Sequence, residues 1–564
     1  MCFLSASSTV NFHPATSKVS PAVGTWPASG LGGQENTTGE CELCVNSDGK
    51  SYIEIWACSA NQGLMYLTHN NPPEISTEPS VTANPARLDL NAHINDIAEG
   101  KITFSGRNLD NKELYLTLRD DNACVFTLSQ NVLQPATGNN TVTVSYNTSK
   151  AGSHNASIEV RVDDVVRCTV PVSGKCTVYT PSYAIDKMEE LWSYSVNKGN
   201  LGQTGWFDNN GITRDMCAVG TNLYVLNYNS SSITILDGKT GQTKGYLSVA
   251  GISGGKIALA AIKSLGDKVI GCNMAEANDE LRVYIWDNDN ATPRLLFSTT
   301  DHGGVEVGRS MATYGDMNNG IIALGYGQAP KNQNIQKVVY FTVENGNVNT
   351  TANVRDLSAN YTGGNSSNQH VMFDSDMSFW LSNKDTYPMH FGNDGTLIEK
   401  VESGLDGQRF GVGNDLFTYA GHKYLAITTT LGSSSQAAWG NATLELLDIS
   451  NGLGGATHRG RYPYDGLGPD NWGTVGNTAI CHSISDLGNE LYLWIMVPKQ
   501  GIAAYYNSDG YRPNGAENIS VDDADADAPA VYYNLQGVRM NAENLTPGLY
   551  IRRQGSVTTK VLVK

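Results

Sequence analysis

The chain has 564 residues, of which only 16% are charged, with 59 glycines and 27 tyrosines; 38 Lys plus Arg stand against 55 Asp plus Glu, a formal charge of −17. Such an acidic balance disfavours nucleic acid and anionic lipid as partners, and no apolar run approaches the roughly 20 residues of a membrane helix. Low charge with abundant Gly, Asn, Ser, Thr and aromatics predicts an all-β, turn-rich chain long enough for several domains.

Residues 1–77 begin MCFLSASSTV, which lacks the basic start and apolar core of a secretion leader. Farther on, LCVN and SYIEIWAC around Ser-Asp-Gly predict a hairpin in a small or incomplete β-sandwich. Cys41, Cys44, Cys58 and His69 nominally offer four zinc ligands. The preferred reading places Cys44 opposite Cys58 across the hairpin, as packed thiols or a disulfide, and no metal or cofactor is expected. The ten cysteines are sparse and show no framework spacing; most, including Cys217 and Cys272, read as buried small hydrophobes.

Residues 78–177 hold ARLDLNAHI, GKITFSGRNL, ELYLTLRD, ACVFTLS, NTVTVSYN, ASIEVRV and RCTVPVSG. Seven short strands with regular turn signals match the size and rhythm of an immunoglobulin-like sandwich, although the Cys…Trp…Cys spacing of antibody domains is missing. The segment resembles the Ig-like modules that precede larger domains in secreted Bacteroidetes proteins, which implies a spacer.

Residues 183–509 repeat. RDMCAVG, NLYVLNY, SSITILD and TKGYLSV are four strand-like runs separated by turns, the unit of a β-propeller blade. Later units open with IALAAIKS, RSMATYGD, HVMFDSD, FGVGND and GTVGNTAICHSIS. The last holds three runs only, and LWSYSV (Leu191–Val196) is the expected fourth, which would close a ring of six blades. Seven blades is the alternative, because the third and fifth units are long. Leu223–Gly255 and the Tyr-Ile-Trp-Asp run of the next unit resemble a family of Bacteroidetes propeller proteins without established activity.

An acidic linker follows at 510–530, where Asp523, Asp525 and Asp527 lack the Gly and closing Glu of a calcium loop. Residues 531–564 carry Tyr533, Leu535-Gln536-Gly537, Pro547-Gly548-Leu549-Tyr550-Ile551 and a terminal Lys560-Val561-Leu562-Val563-Lys564. This tail resembles the type A C-terminal sorting domain of the Bacteroidetes Por (type IX) secretion system. The resemblance implies export by that machinery and a secreted or outer-cell-surface location.

Chemistry is expected where the chain enters each innermost strand, since those loops gather on one propeller face. Arg214, Lys256, Arg309, His370, Arg409 and Trp472 stand at the six entries, and five of them are cationic or become so on protonation. A funnel of cations focuses potential on an anionic ligand, with Arg supplying forked donors; alternatively these residues pair with Asp215 and Glu306. Trp206, Phe207, Tyr361, Trp439 and Trp472 supply faces on which sugars stack. His370, Asp374 and Asp376 are the weak catalytic candidates, a carboxylate pair beside a histidine. His302 and His482 are lone histidines, more often structural. Gly251-Ile-Ser-Gly-Gly255 matches G-x-S-x-G without the helix that a nucleophile elbow needs.

The expectation is therefore an all-β protein: N-terminal β-sandwich modules, a six-bladed (alternatively seven-bladed) β-propeller and a small C-terminal β-sandwich sorting module. Its expected function is binding an extracellular ligand, foremost a glycan or other polymer with anionic groups. The alternatives are a propeller polysaccharide lyase or glycoside hydrolase, and a structural adhesin.

Overall fold

The computed structural model describes residues 77–514 except 121, 208–212, 228–231, 327–336, 358–369, 384–385, 401–408, 431–441 and 470–477. It also describes strand segments at 2–5, 8–11, 39–45, 52–59, 63–70, 530–533, 539–540, 548–554 and 557–563. The architecture is all-β and propeller-like, with four single-turn 3-10 helices and no α-helix among the described residues. The chain divides into two units, Met1–Thr177 and Val178–Lys564.

In the first unit, Gly39–Val45, Tyr52–Ser59 and Gly63–Asn70 form a three-stranded antiparallel sheet, so the expected hairpin gains a third strand. Its register places Cys44 opposite Glu54 and Cys58 opposite Glu40. The expected Cys44–Cys58 facing pair is therefore corrected: the two lie four residues out of step. Residues 80–177 build a four-stranded and a five-stranded sheet. Alternation supplies the shared core: Ile102, Phe104, Val142 and Val144 from one sheet meet Leu114, Ile158, Val160 and Val170 from the other, all fully buried.

Between residues 189 and 508 the second unit holds, among the described residues, six sheets, labelled A to F in chain order by their first strands. These are Thr213–Val219 (A), Ile257–Leu265 (B), Val307–Gly315 (C), His370–Phe373 (D), Arg409–Tyr419 (E) and Ala479–Ile484 (F). Sheets A, B, D and E are four-stranded antiparallel meanders, while two short strands, Asn347–Val348 and Asn353–Asp356, share the edge of sheet C. In sheet F the outer strand is Glu189–Ser195, paired antiparallel with Gly501–Ser508. This is the LWSYSV run expected there. Each first strand contacts the next, and that of F returns to that of A.

Why the strands read as unbroken apolar runs follows from this arrangement, since both faces of each sheet are covered. In Asn222–Asn227, Tyr224 and Leu226 pack toward sheet B while Leu223 and Val225 pack toward sheet F. Six apolar clusters fill the six seams in this way. Three of the tryptophans at these seams find partners for their N–H groups, whereas the buried Trp380 Nε1 has none among the described residues. Trp286 Nε1 donates to Ser248 O at 2.7 Å, and Trp192 and Trp494 both donate to Gly238 O, at 2.8 and 3.0 Å. A side chain at Gly238 would collide with Trp494, its Cβ lying 2.5 Å from the ring.

Among the described residues the free cysteines are Cys124, Cys168, Cys176, Cys217, Cys272 and Cys481; Cys217 and Cys272 are buried strand residues as expected. At the end of the chain, strands at 530–533, 539–540, 548–554 and 557–563 form a four-stranded antiparallel sheet. Asp523, Asp525 and Asp527 lie outside the described residues.

Candidate functional site

The six first strands line a cavity of about 450 Å³, placed toward the ends where each turns into its second strand. Such a volume lies within the size range of small-ligand pockets. Its polar lining arises from single charged or polar residues interrupting otherwise apolar strands: Lys263 in IALAAIKSL, Asp415 in RFGVGNDLFTY and His482 in AICHSI.

Each of these groups is paired across a seam. Lys263 Nζ donates to Asp215 Oδ1 at 2.8 Å and to Met216 O at 3.3 Å, joining sheets B and A. Asp215 also accepts from the Met216 and Ile262 N–H groups, at 2.9 and 3.0 Å. Burial alone would lower the Lys263 pKa; the charge and hydrogen bond of Asp215 outweigh it and leave the ammonium raised. His482 Nδ1 meets Asp415 Oδ2 at 2.6 Å, joining F to E, and its ring lies 4.7 Å from that of Phe417. Lys423, in the second strand of E, donates to Asp374 of sheet D.

His370 opens the first strand of sheet D, lines the cavity and is 7% exposed. Its Nδ1 is buried without a hydrogen-bond partner among the described residues. Burial, and then the charge of Lys263, push its pKa down to about 3, so the ring is neutral at pH 7. Cys217 and Cys481 line the same cavity; burial raises both thiols, which leaves them unreactive. Among the described residues no group of three or more His, Cys, Asp or Glu is disposed to hold a metal ion.

The sequence-derived entry residues fall elsewhere. Lys256 precedes the first strand of B, with Nζ 3.5 Å from Glu276 and 3.9 Å from Glu306. Arg309, third in the first strand of C, has Nε 3.6 Å from Glu306. These four residues form one loose ionic cluster over two adjacent entries, so Glu306 is the neighbour expected of them. Arg214 is half-buried in the first strand of A, while Asp215 turns to Lys263. Arg409 begins the first strand of E, opposite Thr430, and its side chain lies outside the described residues. Trp439, Trp472 and Tyr361 also lie outside them. Trp206 and Phe207 pack edge to face, with ring centroids 6.0 Å apart, and Phe207 is buried.

Asp374 and Asp376 are not on a strand. The first strand of D stops at Phe373, and both carboxylates belong to the turn before Phe379. Asp374 Oδ1 accepts from the Ser375 N–H at 2.7 Å. The hydroxyl and then the N–H of Ser378 hold the Asp376 pKa below its ordinary value. Asp-Ser-Asp is turn chemistry, because Asp side chains capture nearby N–H groups. His302 is fully buried, its two ring nitrogens 3.0 and 2.9 Å from the Val305 and Asp279 carbonyls. Ser253 of the G-x-S-x-G match accepts from Arg282 Nη1 at 2.8 Å in a loop that runs straight into a strand.

Sequence reasoning missed Lys263, Asp415 and Lys423. For Lys263 the available signal was a lone charge inside an apolar innermost strand, whereas Asp415 shares its strand with Arg409, Asn414 and Thr418. Lys423 gives no such signal, since HKYLAITTT starts at a turn.

Comparison with known proteins finds distant structural neighbours and one matching domain model. No curated protein matches the chain. Solved structures with which it aligns include Kuenenia stuttgartiensis hydrazine synthase, at 13% identity and a TM-score of 0.29, covering 51% of this chain and 76% of that one. Another is YCF48 bound to D1 peptide, at 11% and 0.27, covering 63% and 90%. A third is the dihydro-heme d1 dehydrogenase NirN in complex with DHE, at 10% and 0.28, covering 72% of each chain. Residues 198–451, from just before sheet A to the third strand of sheet E, match the model of a domain of unknown function, DUF8500.

Proposed function

We propose that residues 183–509 form a six-bladed β-propeller that binds an extracellular polymer, foremost a glycan carrying anionic groups. The six sheets, whose first strands meet in cyclic order, support that blade count. On this reading residues 1–77 are a β-rich leading segment, 78–177 an Ig-like sandwich acting as a spacer, and 510–530 a linker. Residues 531–564 are a sorting module read by type IX secretion machinery, which makes the protein secreted or displayed on the outer cell surface.

The observation that carries the binding reading is the loose ionic cluster of Lys256, Glu276, Glu306 and Arg309. Its separations of 3.5 to 3.9 Å are long, and the Lys256 side chain is 49% exposed. Ion pairs of that kind contribute little stability. A ligand carboxylate or sulfate can therefore replace the exposed Glu276 on Lys256 at small cost, with Arg309 nearby supplying forked donors. Arg214, Arg409, Trp439 and Trp472 would extend the same surface. The cleavage alternative has weaker support, because Asp374 and Asp376 are each engaged within a turn.

Retention of the full chain on immobilised acidic and neutral polysaccharides tests the reading. Acidic polymers should retain it, and Lys256→Ala/Arg309→Ala should weaken retention roughly tenfold, about 1.4 kcal/mol. Equal retention of variant and parent would sink the assignment, and new reducing ends or unsaturated products would favour an enzyme.

A further inference from the structure

We propose that the cavity among the six first strands is a second binding site, for a small molecule bearing a carboxylate, held by His370, Lys263 and Lys423 with His482 beside them. It is separate from the polymer surface, because neither Lys256 nor Arg309 lines it.

The argument begins with which polar groups in the cavity still have capacity. The carboxylates are largely used. Asp215 accepts from two backbone N–H groups and Lys263. Asp415 takes the Leu416 N–H at 3.0 Å as well as His482, and Asp374 takes the Ser375 N–H as well as Lys423. The donors are not used up. An ammonium has three N–H groups; Lys263 directs two to Asp215 and Met216 O, and Lys423 directs one to Asp374. His370 Nδ1 has no hydrogen-bond partner among the described residues, although its residue is 93% buried, the complement of its 7% exposure. Leaving a buried polar atom unpaired costs about 1–3 kcal/mol. The spare N–H groups of Lys263 and Lys423 suit an acceptor-rich group such as a carboxylate, and protonation would make the unpaired His370 Nδ1 a further donor.

Charge balance adds a consequence. The Asp215–Lys263 and Asp374–Lys423 pairs are each neutral and the Asp415 carboxylate stands beside His482, so a carboxylate arriving beside neutral His370 adds to the negative charge already there. Nearby negative charge favours the protonated imidazole, so ligand and proton enter together. The other titratable groups sharing the cavity are Asp415, His482, Tyr314 and the thiols of Cys217 and Cys481. Both thiols are raised by burial and remain uncharged, so neither supplies the proton.

The probes are D-glucuronate, its neutral isostere D-glucose and a tetramer of the same uronic acid, titrated calorimetrically into the full chain. Glucuronate should bind and glucose should not. Heats measured in two buffers of different ionisation enthalpy should show proton uptake, and affinity should rise as pH falls from 8 to 6. His370→Gln and Lys423→Met should each weaken glucuronate at least tenfold while Lys256→Ala/Arg309→Ala leaves it unchanged. If His370→Gln does not fold, Lys423→Met decides. Equal binding of glucose, no glucuronate binding, or binding indifferent to both variants would overturn the site. A tetramer that binds more tightly than the monomer would overturn its assignment to a free small molecule in favour of a chain end. Failed retention on polysaccharide with intact glucuronate binding would remove the polymer reading and leave this one standing.

Discussion

Two regions of the second unit carry ionic groups, and they are built to opposite rules. In the cavity, Asp215–Lys263 and Asp415–His482 close to 2.8 and 2.6 Å, and the Asp215 and Lys263 side chains are only 11% and 14% exposed. At the entry loops the contacts of Lys256 and Arg309 lie at 3.5 to 3.9 Å. A buried charge must have its partner, because removing one member strands the other in a medium that solvates it poorly. Lys256 and Glu276, 49% and 58% exposed, have water as an alternative, so their pairing is exchangeable, whereas Glu306 is only 11% exposed. The first region thus holds sheets together as well as offering donors, whereas the second is free to trade contacts with a ligand.

The sharpest way to break that contrast is Asp215→Ala. It leaves Lys263 buried without its carboxylate, and calorimetric unfolding should show a loss of roughly 3–5 kcal/mol. Adding Lys263→Met should return most of the loss, since an apolar pair of similar volume costs little. No recovery would mean that the pair contributes more than mutual neutralisation.

A smaller and pH-dependent effect belongs to His370. Its folded pKa is depressed to about 3, whereas an unfolded histidine titrates near 6.5. Between those values the unfolded chain binds a proton that the folded chain refuses. Stability is therefore fully present above about pH 6.5 and falls as pH drops toward 3, by about 1.4 kcal/mol per unit. His370→Gln should flatten that slope in chemical denaturation between pH 6.5 and 4.5; an unchanged slope would show that other groups carry it.

The smallest effect should come from the entry loops. Glu276→Gln removes the exposed carboxylate beside Lys256 and should cost under about 1 kcal/mol, vanishing in high salt. A cost rivalling that of Asp215→Ala would erase the distinction between the regions.

Much of the strand framework was legible in the sequence, because sheets covered on both faces produce short apolar runs bounded by turn residues. RDMCAVG, NLYVLNY, SSITILD and TKGYLSV fall on the strands of sheet A, and the missing strand of F was recoverable from a count of three where four were needed. Strand ends were less legible. HVMFDSD continues its apolar run only to Phe373, and Asp374 starts a turn in which Met377 adopts φ 68°. NVNTTANV divides into two short strands. The site was harder still, for a reason of distance along the chain. Lys263 answers Asp215, His482 answers Asp415 and Lys423 answers Asp374, each from a neighbouring sheet. A residue whose partner lies about fifty or more positions away leaves no local spacing to read.

The outer strand of sheet F also sets an order of events. Trp192 pairs in register with Ala504, so a strand synthesised near the start of the unit waits for one made near its end. Chains emerge from the ribosome at roughly 5–20 residues per second, which makes that wait tens of seconds. Throughout it, sheet F consists of its outer strand alone, and Met216 and Leu223 of sheet A lack the sheet that covers them. A chain stopped before Gly501 leaves the Glu189–Ser195 strand without its mate, an open edge that invites pairing with another molecule. Completion of the last strand is thus the step that commits this unit to a single molecule.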